Sequence, residues 1–310
     1  MSSPLSNPLR WTDLDLEPIY QLINRALAED GTGLGLRKQQ PSFFDPSTEM
    51  IGSTEKTTTA SLVARQDLVV AGLPLISMVL EKVAEFKGIP PSSFHVHLLA
   101  EDGNKGYSGD LLATLVGPAN LLLSGERTLL NFLQHLSGIA TQTRLFVEAM
   151  GKSSTRLLDT RKTTPGYRFL EKYAVGCGGG YNHRLGLFDR IMLKDNHLSA
   201  GQFASGDALE KAILKARAQF PDLPVQVEVD NLSQIPPVLA AKVDFLMLDN
   251  FSDEDTRTAL QLVQGQVPVE LSGGITLPDL AAKAALGADF ISTGALVHQA
   301  TWPDIGLDWG

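Results

Sequence analysis

The sequence predicts an α/β protein with two parts of different construction, and two patterns in the chain support this fold class. From residue 156 onwards, short apolar strands alternate with segments of helix length, which is typical of a parallel sheet. Before that point, helices and strands follow one another in small units. Such an order indicates an α+β domain of a few antiparallel strands with helices on one face.

The first part is predicted from apolar spacing and turn residues. Helical spacing predicts helices over residues 14–29 and 74–86, and a longer helix that opens at Ser124 as its N-cap. Gly138 is predicted to bend or divide this longer helix. The segment from Gly31 to Thr59 is rich in Gly, Ser, Thr and Pro and is predicted to be irregular. Strands are predicted within residues 61–72, 94–98 and 109–117.

The second part repeats a strand followed by a helix. Strands are predicted at Arg156–Asp159, Arg190–Lys194, Val225–Asp230, Phe245–Asp249, Pro268–Leu271 and Phe290–Ser292. Helices are predicted between them over residues 206–219, 232–241, 253–264 and 277–286. The later units recur roughly every twenty residues, which fits either a (β/α) barrel or a doubly wound sheet.

The composition limits the class of protein. A formal net charge of −9 argues against a general nucleic-acid binder. The single cysteine, Cys177, excludes an intrachain disulfide and a cysteine-based zinc site, and it suits a reducing compartment. Residues 1–8 lack the pattern of a signal peptide, and no apolar run is long enough to span a bilayer. The predicted location is therefore the cytoplasm, without a membrane partner.

Cations are concentrated in one stretch of this acidic chain, from Leu157 to His197. A basic run taken alone is most often a solvated face. Here Arg161 and Lys162 directly follow a predicted strand, and Lys194 ends the next one. Because cations at the ends of apolar strands face a common edge, the placement favours a small polyanion as their target.

Two predicted strands bring a carboxylate to their carboxyl ends. Glu228 lies in the run VEVD, and Asp249 lies in the run FLMLDN. Charged residues are rarely buried without a partner, so each is expected to bind something. Mg²⁺ or sugar hydroxyls are one possibility, since Mg²⁺ commonly bridges one or two carboxylates to substrate phosphates. Salt bridges to Arg161 or Lys194 are the alternative.

Glycine-containing turns follow the last two predicted strands. In parallel α/β barrels, the loops after the last two strands commonly bind phosphate, and glycine lets the backbone approach it. These turns are Ser272-Gly273-Gly274 and Ser292-Thr293-Gly294. The residue types thus indicate transfer of a phosphorylated sugar to an acidic acceptor, or a phosphosugar aldolase with a Schiff base on Lys194.

Seven motifs carry a resemblance to a known family. They are RTLLNFLQHLSGIAT, LLDTRKTTPGYRFLEKYAV, GGGYNHRLGLFDRIMLKDNH, VEVDN, FLMLDN, ELSGGI and ISTGALVH. Together they resemble quinolinate phosphoribosyltransferase, also called nicotinate-nucleotide pyrophosphorylase (carboxylating). The resemblance runs from Val63 to His298 and so covers most of the chain.

The resemblance implies a decarboxylating pentosyltransferase of NAD biosynthesis. Its substrates are quinolinate and phosphoribosyl pyrophosphate, its products are nicotinate mononucleotide, CO2 and pyrophosphate, and its cofactor is Mg²⁺. The implied fold is an N-terminal α/β sandwich domain with a C-terminal incomplete (β/α) TIM-like barrel. The implied assembly is a homodimer or a larger assembly of dimers. The expected domains are residues 1–126, on which a C-terminal tail of residues 300–310 packs, and residues 127–299.

The resemblance also implies roles for individual residues. Arg161, His183 and Arg184 resemble ligands of the quinolinate carboxylates, and Lys162 and Lys194 resemble further cations of the site. Arg127 resembles an arginine that reaches into the neighbouring subunit's site. Glu228 and Asp249 resemble acids that bind ribose hydroxyls and Mg²⁺, directly or through water. The 5′-phosphate cradle is implied at Ser272, Gly273, Gly274, Ser292, Thr293 and Gly294. Lys162, Lys194, Glu228 and Asp249 form the expected catalytic set.

Three other functions remain open at this level. A relative acting on nicotinate would use a similar site, although the Arg161, His183 and Arg184 set favours a dicarboxylate. A Schiff-base aldolase would use Lys194 as its nucleophile. A non-catalytic homologue would bind the same ligands without turnover.

Overall fold

The structure is a computed structural model that describes residues 7–50, 57–194, 196–197, 201 and 206–310. Its helices are α1 (Leu16–Thr32), α2 (Pro46–Glu49), α3 (Pro74–Lys87), α4 (Ala119–Ala149), α5 (Arg168–Cys177), α6 (Gly206–Gln219), α7 (Ile235–Ala240), α8 (Asp253–Val263), α9 (Leu280–Ala284) and α10 (Ala295–His298). Its strands are β1 (Thr57–Ala64), β2 (Leu68–Val69), β3 (His95–Leu98), β4 (Lys105–Gly106), β5 (Leu111–Pro118), β6 (Arg156–Leu158), β7 (Ile191–Leu193), β8 (Val225–Val229), β9 (Phe245–Asp249), β10 (Val269–Ser272), β11 (Phe290–Ser292) and β12 (Ile305–Trp309).

The chain divides into two compact units. The sandwich unit consists of residues 10–142, 165–179 and 300–310. The barrel unit consists of residues 143–164 and 180–299, with a short N-terminal stretch that ends at Leu9. The expected boundary after residue 126 falls inside α4, whose residues belong to the sandwich unit as far as Gln142. Because α4 runs past residue 126 without interruption, the sequence has no turn signal there. The boundary between the two units therefore lies later in the chain than expected.

The sandwich unit is built on a four-stranded antiparallel sheet with the order β12-β1-β5-β3. Its edge strand β12 pairs with β1 in the register Leu62↔Leu307, so residues from the end of the chain form part of this sheet. Helix α3 supplies a buried face that includes Leu75, Ile76 and Leu80. The predicted mixture of antiparallel strands and helices is therefore confirmed for this unit.

Helix α4 begins five residues before the predicted start and is continuous. The prediction that Ser124 caps it was wrong, because Ser124 lies in the second turn, where its buried hydroxyl donates to Asp45 Oδ2 at 2.6 Å. Gly138 does not divide the helix either, since α4 continues through it to Ala149. A Cβ atom at Gly138 would lie 2.6 Å from the carbonyl oxygen of Thr301. Glycine is thus needed at position 138 because the backbone just before β12 lies against the helix there.

The barrel unit contains a six-stranded parallel sheet with the order β6-β11-β10-β9-β8-β7. The strands follow one another in sequence order from β7 to β11, and the earliest strand, β6, lies beside the last one. Such an order requires the sheet to curve round, unlike the reversing order of a doubly wound sheet. Among the described strands, β6 and β7 are not paired, so the barrel is incomplete, as the resemblance implied.

The strand register makes the inner face of this sheet apolar at one end and polar at the other. Leu158, Phe245 and Phe290 form a buried apolar cluster against which Tyr181 packs. Side chains alternate along a strand, so residues two positions further on lie on the same face. On β9 this face runs from Phe245 through Met247 to Asp249. The inner face therefore becomes polar towards the carboxyl ends of the strands.

No helix in the described ranges is both long enough and apolar enough to cross a membrane.

We expect Gly138→Ala to destabilise the protein, although alanine ordinarily favours a helix by about 1 kcal/mol over glycine. The new methyl group would collide with the Thr301 carbonyl oxygen, an overpacking that costs about 1–3 kcal/mol. Gly125→Ala is the matched control in the same helix, since its Cβ would meet methyl groups of side chains instead of backbone, the nearest being Leu80 Cδ2 at 3.1 Å. Urea unfolding of both variants measures the difference in the free energy of unfolding. Equal stability of the two variants would contradict the close contact between residue 138 and the Thr301 carbonyl oxygen.

Candidate active site

A cavity of about 810 Å³ lies at the carboxyl ends of the barrel strands. The predicted site residues that line it are Arg161, Lys162, His183, Arg184, Lys194, Glu228, Asp249, Ser272, Gly273, Gly274, Ser292, Thr293 and Gly294. Asn250, which follows Asp249 in the run FLMLDN, lines it too. Residues that sequence reasoning did not single out also line it, namely Thr160, Met192, Met247, Ile275, Thr276, Ala295, His298 and Gln299. Arg127 lies in α4 of the sandwich unit with an exposed side chain, and Asp195, next to Lys194, lies outside the described residues. The roles of the residues towards a substrate stay predictions.

Two arginines are crowded on one side of this cavity. Arg184 is only 8% exposed, and burial together with the neighbouring charge of Arg161 lowers the pKa of its guanidinium. The Nε atom of Arg161 is buried without a hydrogen-bond partner among the described residues. Repulsion between two adjacent cations raises the free energy of the protein alone, and so does a buried donor that lacks an acceptor. An anion bound between them would reduce both costs.

The two predicted carboxylates line the same cavity from neighbouring strands. Glu228 accepts a hydrogen bond from the Lys194 ammonium group at 2.6 Å. Asp249 accepts one from the amide of Asn250 at 2.7 Å. The salt bridge that sequence analysis offered as the alternative for Glu228 is therefore present. The same pair places a cation and an anion side by side in the cavity.

The buried ring of His183 is held from several sides. The Asp159 carboxylate accepts the backbone N–H of His183 at 2.6 Å and the side chain of Asn182 at 3.0 Å. The Nδ1 atom of His183 accepts the backbone N–H of Arg184 at 2.7 Å. Its Nε2 atom lies 3.2 Å from Oε2 of the buried Glu270. Both ring nitrogens thus face protein groups.

The two glycine turns leave backbone exposed to the cavity. Gly273 and Gly274 have φ angles of 97° and 58°, and a Cβ atom at Gly273 would lie 2.7 Å from the backbone nitrogen of Asn250. At Gly294 a Cβ would meet Lys162 and His298 side-chain atoms at 2.8 and 3.0 Å. Small residues are required here by the close approach of neighbours.

The hydroxyl groups in the second turn contact the protein. Thr293 donates to the carbonyl oxygen of Ile275 at 3.1 Å and accepts from the backbone of Ala295 at 3.3 Å. The Ser292 hydroxyl lies against the carboxylate of Glu270. A phosphate at this turn would therefore be bound mainly by backbone N–H groups, which suits a glycine turn ahead of a helix.

The donor set of the cavity fits Mg²⁺ only in a limited way. Among the residues that the structure describes, no three His, Cys, Asp or Glu side chains are grouped closely enough to hold a metal ion. Glu228 and Asp249 supply carboxylate oxygens from adjacent strands to the same cavity. Mg²⁺ commonly binds through one or two carboxylates with substrate phosphates and water completing its shell. The two acids fit that mode of binding.

The fold and the cavity together define a class of protein. Parallel strands of a curved sheet end in a cavity with clustered cations, glycine turns and two carboxylates, which is the arrangement of α/β-barrel enzymes that act on phosphorylated substrates.

Comparison with known proteins identifies the family. The model for the C-terminal domain of quinolinate phosphoribosyl transferase matches residues 139–308, and the model for its N-terminal domain matches residues 45–137. The chain therefore belongs to the quinolinate phosphoribosyltransferase family, as the resemblance indicated.

Individual relatives cover nearly the whole chain. A Mycobacterium leprae protein named nicotinate-nucleotide pyrophosphorylase (carboxylating) is 39% identical over 96% of this chain and 99% of its own. A Bacillus subtilis protein, named as a probable enzyme of the same activity, is 38% identical over 94% of this chain and 93% of its own. The solved structure of the nicotinate-nucleotide pyrophosphorylase from Francisella tularensis has a TM-score of 0.84 at 34% identity, covering 98% of this chain and 100% of that one.

We expect Gly273→Ala to destabilise the barrel unit more than Gly274→Ala. Both glycines have positive φ angles, which cost a side-chain-bearing residue about 1–2 kcal/mol. Only Gly273 has a neighbour in the way, because its Cβ would collide with Asn250, whereas the space beside Gly274 is open. Thermal unfolding of the two variants measures the difference. Equal losses would mean that the contact between Gly273 and Asn250 is not close.

Proposed function

We propose that the protein transfers the phosphoribosyl group of phosphoribosyl pyrophosphate to quinolinate and releases CO2 and pyrophosphate. The product is nicotinate mononucleotide, a precursor in NAD biosynthesis. The observation that carries this proposal is the pair of adjacent arginines in the cavity, where burial and the charge of Arg161 lower the pKa of Arg184. Membership of the family and the names of the relatives support it.

The cationic side of the cavity suits a planar dicarboxylate. Quinolinate carries two carboxylates, and removing them from water requires cations with directed donors. The guanidinium groups of Arg161 and Arg184 present forked donors that match carboxylate geometry. Lys194 adds a charge from the neighbouring strand end, where Glu228 holds it at 2.6 Å. We assign the acceptor to this side.

The glycine turns and the two carboxylates of the cavity suit the phosphoribosyl donor. Backbone N–H groups of the glycine turns at residues 272–274 and 292–294 would bind the 5′-phosphate. Glu228 and Asp249 would bind the ribose hydroxyls and Mg²⁺. Mg²⁺ when bound supplies positive charge next to the pyrophosphate. This assignment places the anomeric carbon between the carboxylates and the acceptor.

The transfer exchanges one bond at the anomeric carbon for another. The bond from this carbon to the pyrophosphate oxygen breaks, and the quinolinate nitrogen forms a new bond to it with its lone pair. Positive charge develops on the ribose in between, and the carboxylates of Glu228 and Asp249 stabilise it. Lys162 and Lys194 stabilise the negative charge of the reacting groups.

Decarboxylation follows the transfer. When the carbon–carboxylate bond breaks, CO2 departs and the electron pair stays on the ring carbon, where the adjacent positive nitrogen of the pyridinium ring stabilises it. The ring carbon then uses this pair to take a proton from the ammonium group of a lysine or from water. Arg161 and Arg184 hold the ring during this step, so that loss of CO2 occurs inside the cavity.

We expect CO2 release from carboxyl-labelled quinolinate to require the protein, phosphoribosyl pyrophosphate and Mg²⁺ together. Arg161→Ala should lower kcat/KM for quinolinate by at least about 100-fold, because it removes a charged donor pair. Arg257→Ala is the control, since this exposed arginine of α8 does not line the cavity and donates to the carbonyl oxygen of Asp253 in its own helix. Nicotinate in place of quinolinate tests the other acceptor. Release that is unaffected by Arg161→Ala would overturn the assignment.

We further propose that the protein works as a homodimer, or a larger assembly of dimers, in which Arg127 completes the neighbouring subunit's site. Its side chain is exposed on α4. In a twofold dimer, a residue near the symmetry axis can contribute to the partner subunit's site, and by symmetry the partner's copy of that residue contributes to the first subunit's site. Among the cations to which the resemblance assigns a role in the site, Arg127 alone belongs to the sandwich unit. The cytoplasmic location stays a prediction.

Mixing two inactive variants tests the exchange of Arg127. In a mixed dimer of Arg127→Ala and Arg161→Ala, one site would have both arginines and the other would have neither. After refolding an equal mixture, about a quarter of wild-type activity should therefore return, because half of the dimers are mixed and each has one intact site. If Arg127 serves its own subunit, every site lacks one arginine and no activity returns. The separately refolded variants are the controls.

A further inference from the structure

A buried carboxylate connects the two chain segments that carry the arginines of the cavity. Asp159 directly follows β6 and is fully buried. Its Oδ1 atom accepts the backbone N–H of His183 at 2.6 Å, and its Oδ2 atom accepts the side-chain amide of Asn182 at 3.0 Å. The Asn182 side chain is also fully buried, and its oxygen accepts the backbone N–H of Leu9 at 2.8 Å. Donors and acceptors therefore alternate from Leu9 through Asn182 to Asp159.

The bonds of Asp159 continue a backbone contact between the same two segments. The N–H of Tyr181 donates to the carbonyl oxygen of Leu157 at 2.8 Å, and the N–H of Asp159 donates to the carbonyl oxygen of Tyr181 at 3.0 Å. Beyond Tyr181 the connection passes to the Asp159 side chain. A charged oxygen accepts hydrogen bonds more strongly than a carbonyl oxygen does. The two segments therefore lie side by side where they reach the cavity.

Each segment carries one arginine just beyond these bonds. Arg161 lies two residues after Asp159, Arg184 directly follows His183, and both arginines line the cavity. Burial and the charge of Arg161 lower the pKa of the Arg184 guanidinium, so the two side chains repel each other. This repulsion acts to separate the two segments. The bonds of Asp159 oppose it from a buried position next to both arginines in the chain.

We propose that Asp159 is a positioning residue for the acceptor: its carboxylate holds the segment of Arg184 beside that of Arg161, so that both arginines contact one acceptor molecule. The identity of the acceptor rests on the proposed function, whereas the bonds of Asp159 do not. Asp159 does not line the cavity, so it acts through the two arginines and does not touch the substrate.

The alternation of donors and acceptors allows the two side chains to be exchanged. In Asp159→Asn, the amide oxygen can still accept the His183 N–H, but the new NH2 group then meets the NH2 group of Asn182. Turning either amide over moves the mismatch to the N–H of His183 or of Leu9. When Asn182→Asp is added, the new carboxylate accepts both the NH2 group at position 159 and the Leu9 N–H. The double variant thus restores the bonds that the single variant loses.

Steady-state kinetics of CO2 release by the full-length protein test the proposal. In Asp159→Asn, the KM for quinolinate should rise at least about tenfold, as expected for one lost charge-assisted hydrogen bond, while the KM for phosphoribosyl pyrophosphate changes little. The double variant Asp159→Asn/Asn182→Asp should return the KM for quinolinate to within about threefold of the wild-type value. A purely structural role would lower the amount of folded protein, and hence the apparent kcat, without changing either KM.

Asp289→Asn is the matched control. The Asp289 carboxylate also joins neighbouring segments of the barrel unit, since it accepts the backbone N–H of Val269 at 2.8 Å, but it lies at the amino ends of β10 and β11, away from the cavity. This variant should leave both KM values unchanged. The proposal is overturned if Asp159→Asn leaves the KM for quinolinate unchanged or raises both KM values equally. It is also overturned if the double variant folds and does not recover the KM for quinolinate.

Amide hydrogen exchange tests the bonds of Asp159 without using activity. In the wild type, the His183 amide should exchange as slowly as the amides of the central strand β9, because it is buried and bonded. Fast exchange of this amide would overturn the proposal even if Asp159→Asn fails to fold. Failure of the proposed function has a different signature. The wild-type protein would then release no CO2 from quinolinate, while its His183 amide still exchanges slowly.

Discussion

The register of the parallel strands is the constraint on which the site depends. Because β8, β9 and β10 are paired in fixed register, the inward positions of adjacent strands meet at the same level. A shift by one residue would turn Glu228, Asp249 and Glu270 outwards and bring their apolar neighbours into the cavity. The apolar cluster of Leu158, Phe245 and Phe290 opposes such a shift, since it would lose its burial.

The charges of the barrel are arranged by depth. At the deepest polar level, Arg190 stacks on the Phe245 ring at 4.8 Å and donates to Gln226, which in turn binds Glu270. Burial lowers the pKa of Arg190, and the nearby Glu270 opposes this effect. Nearer to the opening, burial and the charge of Arg161 lower the pKa of Arg184, and the carboxylates of Asp189 and Glu228 only partly oppose this effect. The inner charges are thus balanced by the protein, whereas the outer pair of Arg161 and Arg184 combines two like charges.

Sequence reasoning located the barrel strands because each one is a short apolar run between polar residues. It also found the carboxylates at residues 228 and 249. It did not single out Glu270, although this residue also interrupts an apolar strand. The depth of a residue along the barrel depends on the stagger between neighbouring strands, and the sequence of a single strand does not reveal that stagger. The start of α4 was misplaced for a related reason: Ser124 resembles a cap, but its hydroxyl bonds to the distant Asp45.

The pairing of β1 with β12 has a consequence for the order of synthesis. A ribosome makes β1 more than 200 residues before β12, and residues 143–164 and 180–299 of the barrel unit are made in between. During that time β5 can cover one side of β1, but the other side presents unpaired backbone groups. Such an edge is open to wrong partners while the chain grows. In the nascent protein this edge of β1 therefore stays open until residues 305–309 emerge and pair with it.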